Sequence, residues 1–337
     1  MPAHFHPEIM DENQNNTDGI WCNVEGSDWM FTVVPVYILV ISVLGIILNV
    51  FVLMVLGLHK KACTVVEIYW SNLAAADLFL MSSLPFWALN VAKKYDWKLS
   101  KTMCKLIPFS ITMNTYCSIC ILVLVSIDRY LALVRPLTSA RIRKPFCAKL
   151  ACVVVWGVCF FLNVPALIFR EVLHFPEGNF SRCNHNVSSP TMYLAYQGIS
   201  VFSFIIPIFI ISFCTVKIIH TLRKRLNIQK MEQKAIILIL VVFLAFLICW
   251  VPYHVVQILD LLSRLNIVGL CTTHLNFFHL IFTYLSLLNS VLNPILYVIY
   301  IWWDPCCAQT SGVRILHQMI TLSTPECPQS TLLAVAS

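Results

Sequence analysis

Seven long apolar runs constrain this chain more than any other feature of its sequence. An α-helix of about 20 apolar residues crosses the hydrocarbon core of a bilayer and satisfies its own backbone hydrogen bonds there. Apolar residues make up 59% of the chain and its mean hydropathy is +0.79, whereas soluble domains are roughly 45–50% apolar. The sequence therefore predicts an all-α membrane protein, a seven-transmembrane helix bundle with runs at roughly 32–58, 67–92, 104–134, 147–169, 194–220, 235–262 and 275–300.

Basic residues and glycosylation sequons indicate how the bundle is oriented. An extracellular N-terminus puts fourteen Lys and Arg side chains on the cytoplasmic face and eight on the extracellular face, in line with the usual excess of positive charge inside. The three Asn-x-Ser/Thr sequons, at Asn15, Asn179 and Asn186, then all face outside, where N-glycans are added. We expect an extracellular N-terminal tail over 1–31, a transmembrane domain over 32–300 and a cytoplasmic tail over 301–337.

Only four of the fifteen cysteines fall on the extracellular side, where disulfides form: Cys22, Cys104, Cys183 and Cys271. Four cysteines allow three pairings. We choose Cys104 with Cys183 and Cys22 with Cys271.

Five polar side chains recur at similar depth in three of the predicted helices. Asp77 lies about 15 Å along the second helix, where a carboxylate is costly unless it faces the interior and has partners. The others form pairs spaced four residues apart, which puts both members on one helix face: Asn114 with Ser118 and Asn289 with Asn293. Their oxygens around one negative charge suit a sodium ion or a water network. The alternative is that they bond one another to hold the helices together.

The sixth helix combines a proline with large aromatic side chains. Pro252 removes one helix hydrogen bond and bends the helix, and Trp250 lies one turn beyond Phe246 beside that bend. Pro294 predicts a second break, in the seventh helix. Broken helices at membrane depth are typical of places where bundles move.

The sequence contains no recognisable catalytic or metal-binding pattern. It has no glycine-rich phosphate loop, no Gly-x-Ser-x-Gly and no His-Glu-x-x-His, so we expect neither an enzyme nor a resident metal. The net charge of +7 needs no nucleic acid as partner, because anionic lipid of the inner leaflet and a cytoplasmic protein account for it.

Markers in all seven predicted helices, taken in order, resemble those of rhodopsin-like G-protein-coupled receptors. They are Gly45 and Asn49, Leu73–Asp77, Cys104 and Asp128–Tyr130, Trp156, Pro207, Cys249–Pro252, and Asn293–Tyr297. Within that family, several stretches are similar to the kinin (bradykinin-type) peptide receptors: 58–69, 84–88, 126–133, 248–250 and 259–260. The resemblance covers about residues 32–300 and implies a plasma-membrane receptor that signals to a G protein.

The resemblance also implies roles for individual residues. Arg129 is expected to engage the G protein, and other residues to serve coupling and activation: Asp128, Tyr130, Leu137, Phe246, Pro252 and Tyr297. The polar ring is expected to hold an allosteric sodium ion. Signalling is expected to run mainly through Gq and calcium release, with arrestin as a further partner.

The resemblance also narrows the class of ligand, by what other members of the family require. Amine receptors use an acid in the third helix where this chain has Ile111, and opsins need a lysine that is absent from 275–300. The first 31 residues carry six acidic and no basic side chains, which favours a cationic peptide. Asp260 is expected to face a basic residue of that peptide, and its deeper part to contact Trp87, Ile111, Arg170, Trp250 and Tyr284. The alternatives are an angiotensin-like or chemokine-like peptide, a transporter or channel, and a non-signalling isoform.

The C-terminal tail departs from the family pattern. In place of a short amphipathic helix with basic residues the chain has Tyr300–Pro305, and Pro305 would break such a helix. We expect an atypical tail over 301–337 that derives from sequence beyond a splice or gene-model boundary. Its Cys306 and Cys307 are candidates for palmitoylation.

Overall fold

The computed structural model describes residues 29–57, 64–135, 143–185, 190–224, 230–265, 267–268 and 272–303. Within these ranges the helices are α1 Met30–Gly57, α2 Val65–Ala92, α3 Lys101–Val134, α4 Pro145–Phe169, α5 Pro190–Lys224, α6 Lys230–Arg264, α7 Thr272–Leu287 and α8 Asn289–Trp303. Seven segments are long and apolar enough to cross a membrane, and α7 and α8 together form the last of them, Phe277–Ile299. This confirms the predicted seven-transmembrane helix bundle. Some predictions concern residues outside the described ranges: Asn15, Cys22, Leu137, Asn186, Cys271, Cys306 and Cys307.

A β-hairpin follows α4, and the sequence pattern does not predict it. Strand β1, Arg170–Phe175, pairs antiparallel with strand β2, Phe180–His185. A 3₁₀ turn over Pro176–Gly178 joins the strands, and Asn179 then adopts a left-handed φ of 49°, which Asn tolerates better than most residues. The hairpin brings the second strand back across the start of α3.

Helix α3 lies at the centre of the bundle. It contacts α2, α4, α5 and strand β1, and it buries side chains along its length from Cys104 to Leu133. The two flanking helices also bond directly, since Trp156 Nε1 of α4 donates to the Asn72 side chain of α2 at 3.0 Å. Because α3 packs on its neighbours along its whole length, residues near both of its ends are held within the same helix bundle.

A proline inside α2 leaves one backbone carbonyl without its usual donor. Pro85 has no N–H to offer the carbonyl of Met81, four residues earlier. The hydroxyl of Ser42 in α1 donates to this carbonyl oxygen at 2.7 Å. The helices approach closely here because Gly45 has no side chain, and a Cβ at that position would lie 2.6 Å from the Met81 sulfur. Helix α1 therefore packs on α2 through a bond that the proline makes available.

A second proline has the same consequence in the seventh span. The predicted break at Pro294 is wrong, because α8 continues through it and the interruption lies at Leu288, between α7 and α8. The Ser290 carbonyl, four residues before Pro294, accepts a hydrogen bond from the Asn49 side-chain amide of α1 at 2.9 Å. This donor from another helix replaces the missing helix bond, so the helix persists past the proline.

Replacing Ser42 by alanine should destabilise the bundle, because the Met81 carbonyl then loses its hydrogen-bond donor at a buried position. We expect a loss of about 1–3 kcal/mol in the free energy of unfolding, measured on the protein in detergent. Adding Pro85→Ala should recover most of this loss, since alanine at that position supplies the backbone N–H.

Ser82→Ala is the matched control, because in the described structure its exposed hydroxyl donates to Phe79 O within its own helix turn and should contribute little. An equal loss in Ser42→Ala with and without Pro85→Ala would contradict this explanation of the α1–α2 contact.

Candidate functional site

The carboxylate of Asp77 lies at the centre of a hydrogen-bonded cluster inside the bundle. Its side chain is fully buried. Asn114 of α3 donates to Oδ1 at 2.8 Å, and Asn293 of α8 donates to Oδ2 at 3.2 Å. The structure thus brings three residues of the predicted polar ring into direct contact and joins α2, α3 and α8.

Ser290 also belongs to this cluster, although sequence reasoning does not select it. Its hydroxyl donates to Asn114 Oδ1 at 3.5 Å, while its backbone carbonyl accepts from Asn49. The sequence feature that could have identified Ser290 is its position three residues before Asn293, a spacing that puts both side chains on one helix face. Ser290 therefore connects the cluster to α1.

The other two members of the predicted ring are buried but take no part in these bonds. Ser118 is 0% and Asn289 1% exposed. Among the residues that the structure describes, no hydrogen-bond partner reaches the Ser118 hydroxyl or the Asn289 amide. Each lies one turn from a residue bonded to Asp77. Buried oxygens near a carboxylate are the ligands that a small hard cation prefers.

A disulfide and an aspartate fix the β-hairpin across one end of the bundle. Cys104, in the first turn of α3, is bonded to Cys183 in β2, which confirms the predicted pairing. Ser181 N of β2 donates to the Asp96 carboxylate at 3.0 Å. Lys98, 2.7 Å from Asp96, and this backbone donor hold the pKa of Asp96 below its usual range. The carboxylate is therefore ionised at neutral pH and can accept the hydrogen bond from Ser181 N.

Three predicted ligand residues belong to one buried cluster beneath the hairpin: Trp87, Ile111 and Tyr284. Tyr95 completes the cluster, with its ring 6.1 Å from the Trp87 ring and its hydroxyl 3.3 Å from the Tyr284 hydroxyl. Sequence reasoning misses Tyr95 because it follows α2 in a left-handed conformation, with φ 63°. Helical spacing gives no signal for such a residue.

Arg170, the first residue of β1, is a buried cation. It is 4% exposed, and its Nη1 donates to the Cys183 carbonyl at 3.3 Å. In the described part of the chain no carboxylate lies within ion-pair distance of its guanidinium, and Nε has no acceptor. Burial lowers the pKa of Arg170 to about 10, so the side chain still carries its charge at neutral pH. The disulfide end of the bundle therefore presents a positive charge beneath the hairpin.

The other two predicted ligand residues lie on α6, outside that cluster. Trp250 belongs to a second buried group, with its ring 6.2 Å from the Phe246 ring, which lies 6.2 Å from Phe204 of α5. Asp260 is half-buried and follows Trp250 by ten residues, about 15 Å further along the helix. Pro252 lies between them inside α6, which is continuous. The predicted ligand residues are therefore spread over two levels of the bundle.

Asp128 binds two arginines at the opposite end of the bundle. Arg143, just before α4, donates from Nε to Oδ1 at 2.7 Å and from Nη2 to Oδ2 at 3.2 Å. Arg129, the next residue in α3, approaches Oδ2 with its Nε at 3.4 Å. The Asp128 side chain is 3% exposed, and those of Arg129 and Arg143 are 21% and 31% exposed. Asp128 therefore forms two hydrogen bonds with Arg143, a residue that the sequence analysis does not assign to this site.

Two predicted activation tyrosines contact aromatic rings of other helices. The Tyr130 ring lies 6.1 Å from Phe213 of α5, and the Tyr297 ring lies 5.4 Å from Trp70 of α2. Each tyrosine thus contacts a helix other than its own near the Asp128 end. They connect α3 to α5 and α8 to α2.

Asn179 is the predicted glycosylation site that the structure describes. It lies at the tip of the hairpin, where its side chain is exposed. The disulfide lies at the same end of the bundle, so both predicted extracellular features share one face.

Comparison with known proteins identifies the family. Residues 48–297 match the family described as 7 transmembrane receptor (rhodopsin family), well over half of the chain. The chain belongs to this family. It is a receptor and not an enzyme, and it is a multi-pass protein of the plasma membrane.

Individual relatives of this receptor carry bradykinin in their names. The human B2 bradykinin receptor is 40% identical over 286 residues, which cover 82% of this receptor and 73% of the human protein. The B2 bradykinin receptor of Cavia porcellus is 39% identical over 291 residues, which cover 82% of this receptor and 77% of that protein. The B1 bradykinin receptor of Tupaia minor is 33% identical over 313 residues, which cover 88% of this receptor and 89% of that protein.

Replacing Arg143 by alanine should slow nucleotide exchange on a G protein. Without Arg143, Arg129 could bind both carboxylate oxygens of Asp128. Arg129 would then be less available for the expected contact with the G protein. If the ion pair between Arg129 and Asp128 becomes stronger by about 0.5–1 kcal/mol, the exchange rate should fall roughly two- to fivefold. Purified receptor in lipid nanodiscs provides the measurement.

Lys144→Ala is the matched control for Arg143→Ala. It removes a neighbouring exposed charge that makes no ion pair with Asp128 in the described structure, so the rate should stay near that of the unchanged receptor. Faster exchange in Arg143→Ala would contradict the idea that the two arginines share Asp128.

Proposed function

We propose that this receptor binds a short cationic peptide of the kinin type and signals mainly through Gq and calcium release. The observation that carries the proposal is similarity over most of the chain to receptors named for bradykinin, at 40% identity across 82% of the chain for the human B2 receptor. Disulfides persist in oxidising compartments, so we assign the Cys104–Cys183 end, and the N-terminus with it, to the outside. The Asp128 end then faces the cytoplasm.

Charges at the disulfide end support a peptide ligand with both a basic and an acidic group. Asp260 would pair with a basic side chain of the peptide, a charge-assisted contact. Arg170 would pair with a carboxylate, since it is buried and no carboxylate reaches it in the described structure. The acidic first 31 residues would concentrate a cationic ligand near the site. Three side chains would form its apolar wall: Trp87, Ile111 and Tyr284.

Activation would pass along α6 from the ligand to the G protein. Contact near Trp250 would bias the bend at Pro252, because the Trp250 ring packs through Phe246 towards α5. The cytoplasmic end of α6 would then swing outward, and Arg129 would leave Asp128 to bind the G protein. The ligand acts only through its preference for one of the two states.

A sodium ion is proposed as an allosteric ligand of the Asp77 cluster. The residues present fit such an ion, because a buried carboxylate lies near the Ser118 hydroxyl and the Asn289 amide oxygen, which have no partner among described residues. The ion would supply positive charge to the buried carboxylate. Its ligands would come from α2, α3 and α8, so it would hold these helices in one arrangement.

Bradykinin should raise intracellular calcium, with a saturable dose response, in cells that carry the receptor at their surface. Asp260→Ala should shift the response to roughly 10- to 100-fold higher dose, because a hydrogen bond to a charged group contributes about 1.5–3 kcal/mol. Glu171→Ala, which removes an exposed acid at the same end, is the control and should shift the dose less than about threefold.

Two other outcomes of the calcium experiment are informative. A surface receptor that ignores bradykinin and answers an angiotensin-like or chemokine-like peptide would contradict the ligand class. A response that appears only after 301–337 is replaced by an ordinary kinin-receptor tail would show that this chain is a non-signalling isoform.

Sodium should lower the affinity of the receptor for its agonist, if the ion stabilises the inactive arrangement. Replacing choline by sodium at constant ionic strength should weaken bradykinin binding by about fivefold or more. Asp77→Asn removes the charge at similar volume and should abolish the difference. A sodium effect that persists in Asp77→Asn would rule out this cluster as the ion site.

A further inference from the structure

A cavity on the outside of the bundle lies between α3, α4 and α5. Its volume is about 700 Å³, within the range of roughly 300–1,000 Å³ that is usual for small-molecule sites. Several of its wall residues are exposed on the outer surface: Val158 at 49%, Phe202 at 62% and Ile206 at 56%. All three helices are long and apolar enough to span a membrane. This outer cavity therefore opens towards the hydrocarbon core of the bilayer.

The walls of the outer cavity suit an alkyl chain. Among the described residues that line it, none is charged, and apolar side chains such as Leu162 and Ile199 predominate. Gly198 of α5 leaves room at the wall, since a Cβ there would meet nothing within 4 Å beyond its chain neighbours and the helix backbone. Lipid chains already surround the bundle, however, so apolar contact alone gives one chain little preference for this place. A lasting ligand needs a further, specific interaction.

The outer cavity contains a group that can supply such an interaction, the thiol of Cys120. Cys120 is the cysteine among the described wall residues. It lies about 14 Å along α3 from Arg129 and about 24 Å from Cys104, deep within the span. Water-soluble molecules would therefore have to leave water to reach its sulfur.

Cys120 belongs to a cluster of three thiols on α3 and α4. Side-chain hydrogen bonds connect Cys120 to Cys159 and Cys159 to Cys117. Cys117 and Cys159 are each 0% exposed, whereas Cys120 is half-buried. Of the three, Cys120 is thus the thiol that a molecule in the outer cavity would meet.

We propose that Cys120 is a modification site for a membrane-borne α,β-unsaturated ketone that carries an alkyl chain. A cysteine sulfur is intrinsically very nucleophilic, and the conjugated double bond gives it a carbon to attack. The sulfur forms a bond to the β-carbon, the π bond between the α- and β-carbons is consumed, and the thiol proton is transferred to the α-carbon. Nothing is oxidised or reduced and no group leaves, so the step needs no further reactant.

The outer cavity would determine the rate of this addition. The thiolate is the reactive form of a cysteine, so a thiol in apolar surroundings reacts slowly with most reagents. A chain that lies in the outer cavity holds its electrophilic carbon beside the Cys120 sulfur, and such proximity replaces a chance encounter. A charged electrophile is excluded, because taking a charge into the hydrocarbon core is costly.

Cys147, at the start of α4, provides an internal reference. Its side chain is exposed, and it lies one residue from Phe146 and four residues beyond Arg143, near the Asp128 end of the bundle. Reagents that remain in water should therefore reach Cys147 and not Cys120. The ratio of modification at these two cysteines reports access through the bilayer.

Labelling of the full-length receptor in lipid nanodiscs tests the proposal. The probe is a long-chain vinyl ketone with a terminal alkyne, and mass spectrometry of the digested receptor measures the adduct on each cysteine over time. Gly198→Leu fills the outer cavity. Gly157→Leu is the matched control, because Gly157 of α4 also has free space at its Cβ position and does not line the outer cavity.

We expect the probe to modify Cys120 of the unchanged receptor, with the Cys120-to-Cys147 ratio about tenfold lower in Gly198→Leu and within about threefold of the unchanged receptor in Gly157→Leu. Methyl vinyl ketone has the same reactive group without the chain and should give a ratio at least about tenfold lower than the long-chain probe. A permanently charged maleimide should modify Cys147 and leave Cys120 unmodified.

Modification of Cys147 without Cys120 by the long-chain probe would overturn the proposal. Equal Cys120 modification in Gly198→Leu and Gly157→Leu would also overturn it, because the filled cavity would then play no part. Thermal unfolding of each variant checks that it is folded, and Gly198→Val makes the same comparison should Gly198→Leu not fold. None of these measurements uses a peptide, so their outcome is independent of the proposed function.

Discussion

Polar groups of membrane-spanning helices cannot rely on bulk water for hydrogen bonds, and the packing of the helices follows from how these groups find partners. The carbonyls freed by Pro85 and Pro294 draw α1 against α2 and α8. The Asp77 carboxylate draws α3 and α8 against α2. Directed bonds of this kind specify one arrangement of the helices, which apolar contact with neighbouring helices or with lipid does not do alone.

The same constraint marks the places where something can bind. Within the described structure, buried atoms at three levels have no hydrogen-bond partner: Arg170 Nε beneath the hairpin, Trp250 Nε1 near Pro252 in α6, and the Ser118 hydroxyl and Asn289 amide near Asp77. Each level suits a different partner, namely a carboxylate, a hydrogen-bond acceptor and a small cation. The proposed ligands of the receptor thus supply the partners that the folded chain does not supply itself.

Properties local to one helix can be predicted from the sequence. Length and hydropathy locate the seven spans, and membrane depth with four-residue spacing correctly groups Asp77, Asn114 and Asn293. Features that depend on a second element cannot be predicted in this way. The helix survives Pro294 because a side chain of α1 supplies the missing bond, and Arg143 reaches Asp128 from the segment that precedes α4.

We propose that a peptide at the disulfide end and a G protein at the Asp128 end act on one conformational equilibrium of the bundle. Thermodynamic linkage then requires that each raises the affinity of the receptor for the other by the same factor. The most direct measurement is the affinity of purified receptor in nanodiscs for bradykinin, with and without nucleotide-free Gq. We expect the affinity for bradykinin to be about 5–150-fold higher with Gq, and this gain to be lost on addition of a non-hydrolysable GTP analogue. Equal affinities in the presence and absence of Gq would contradict it.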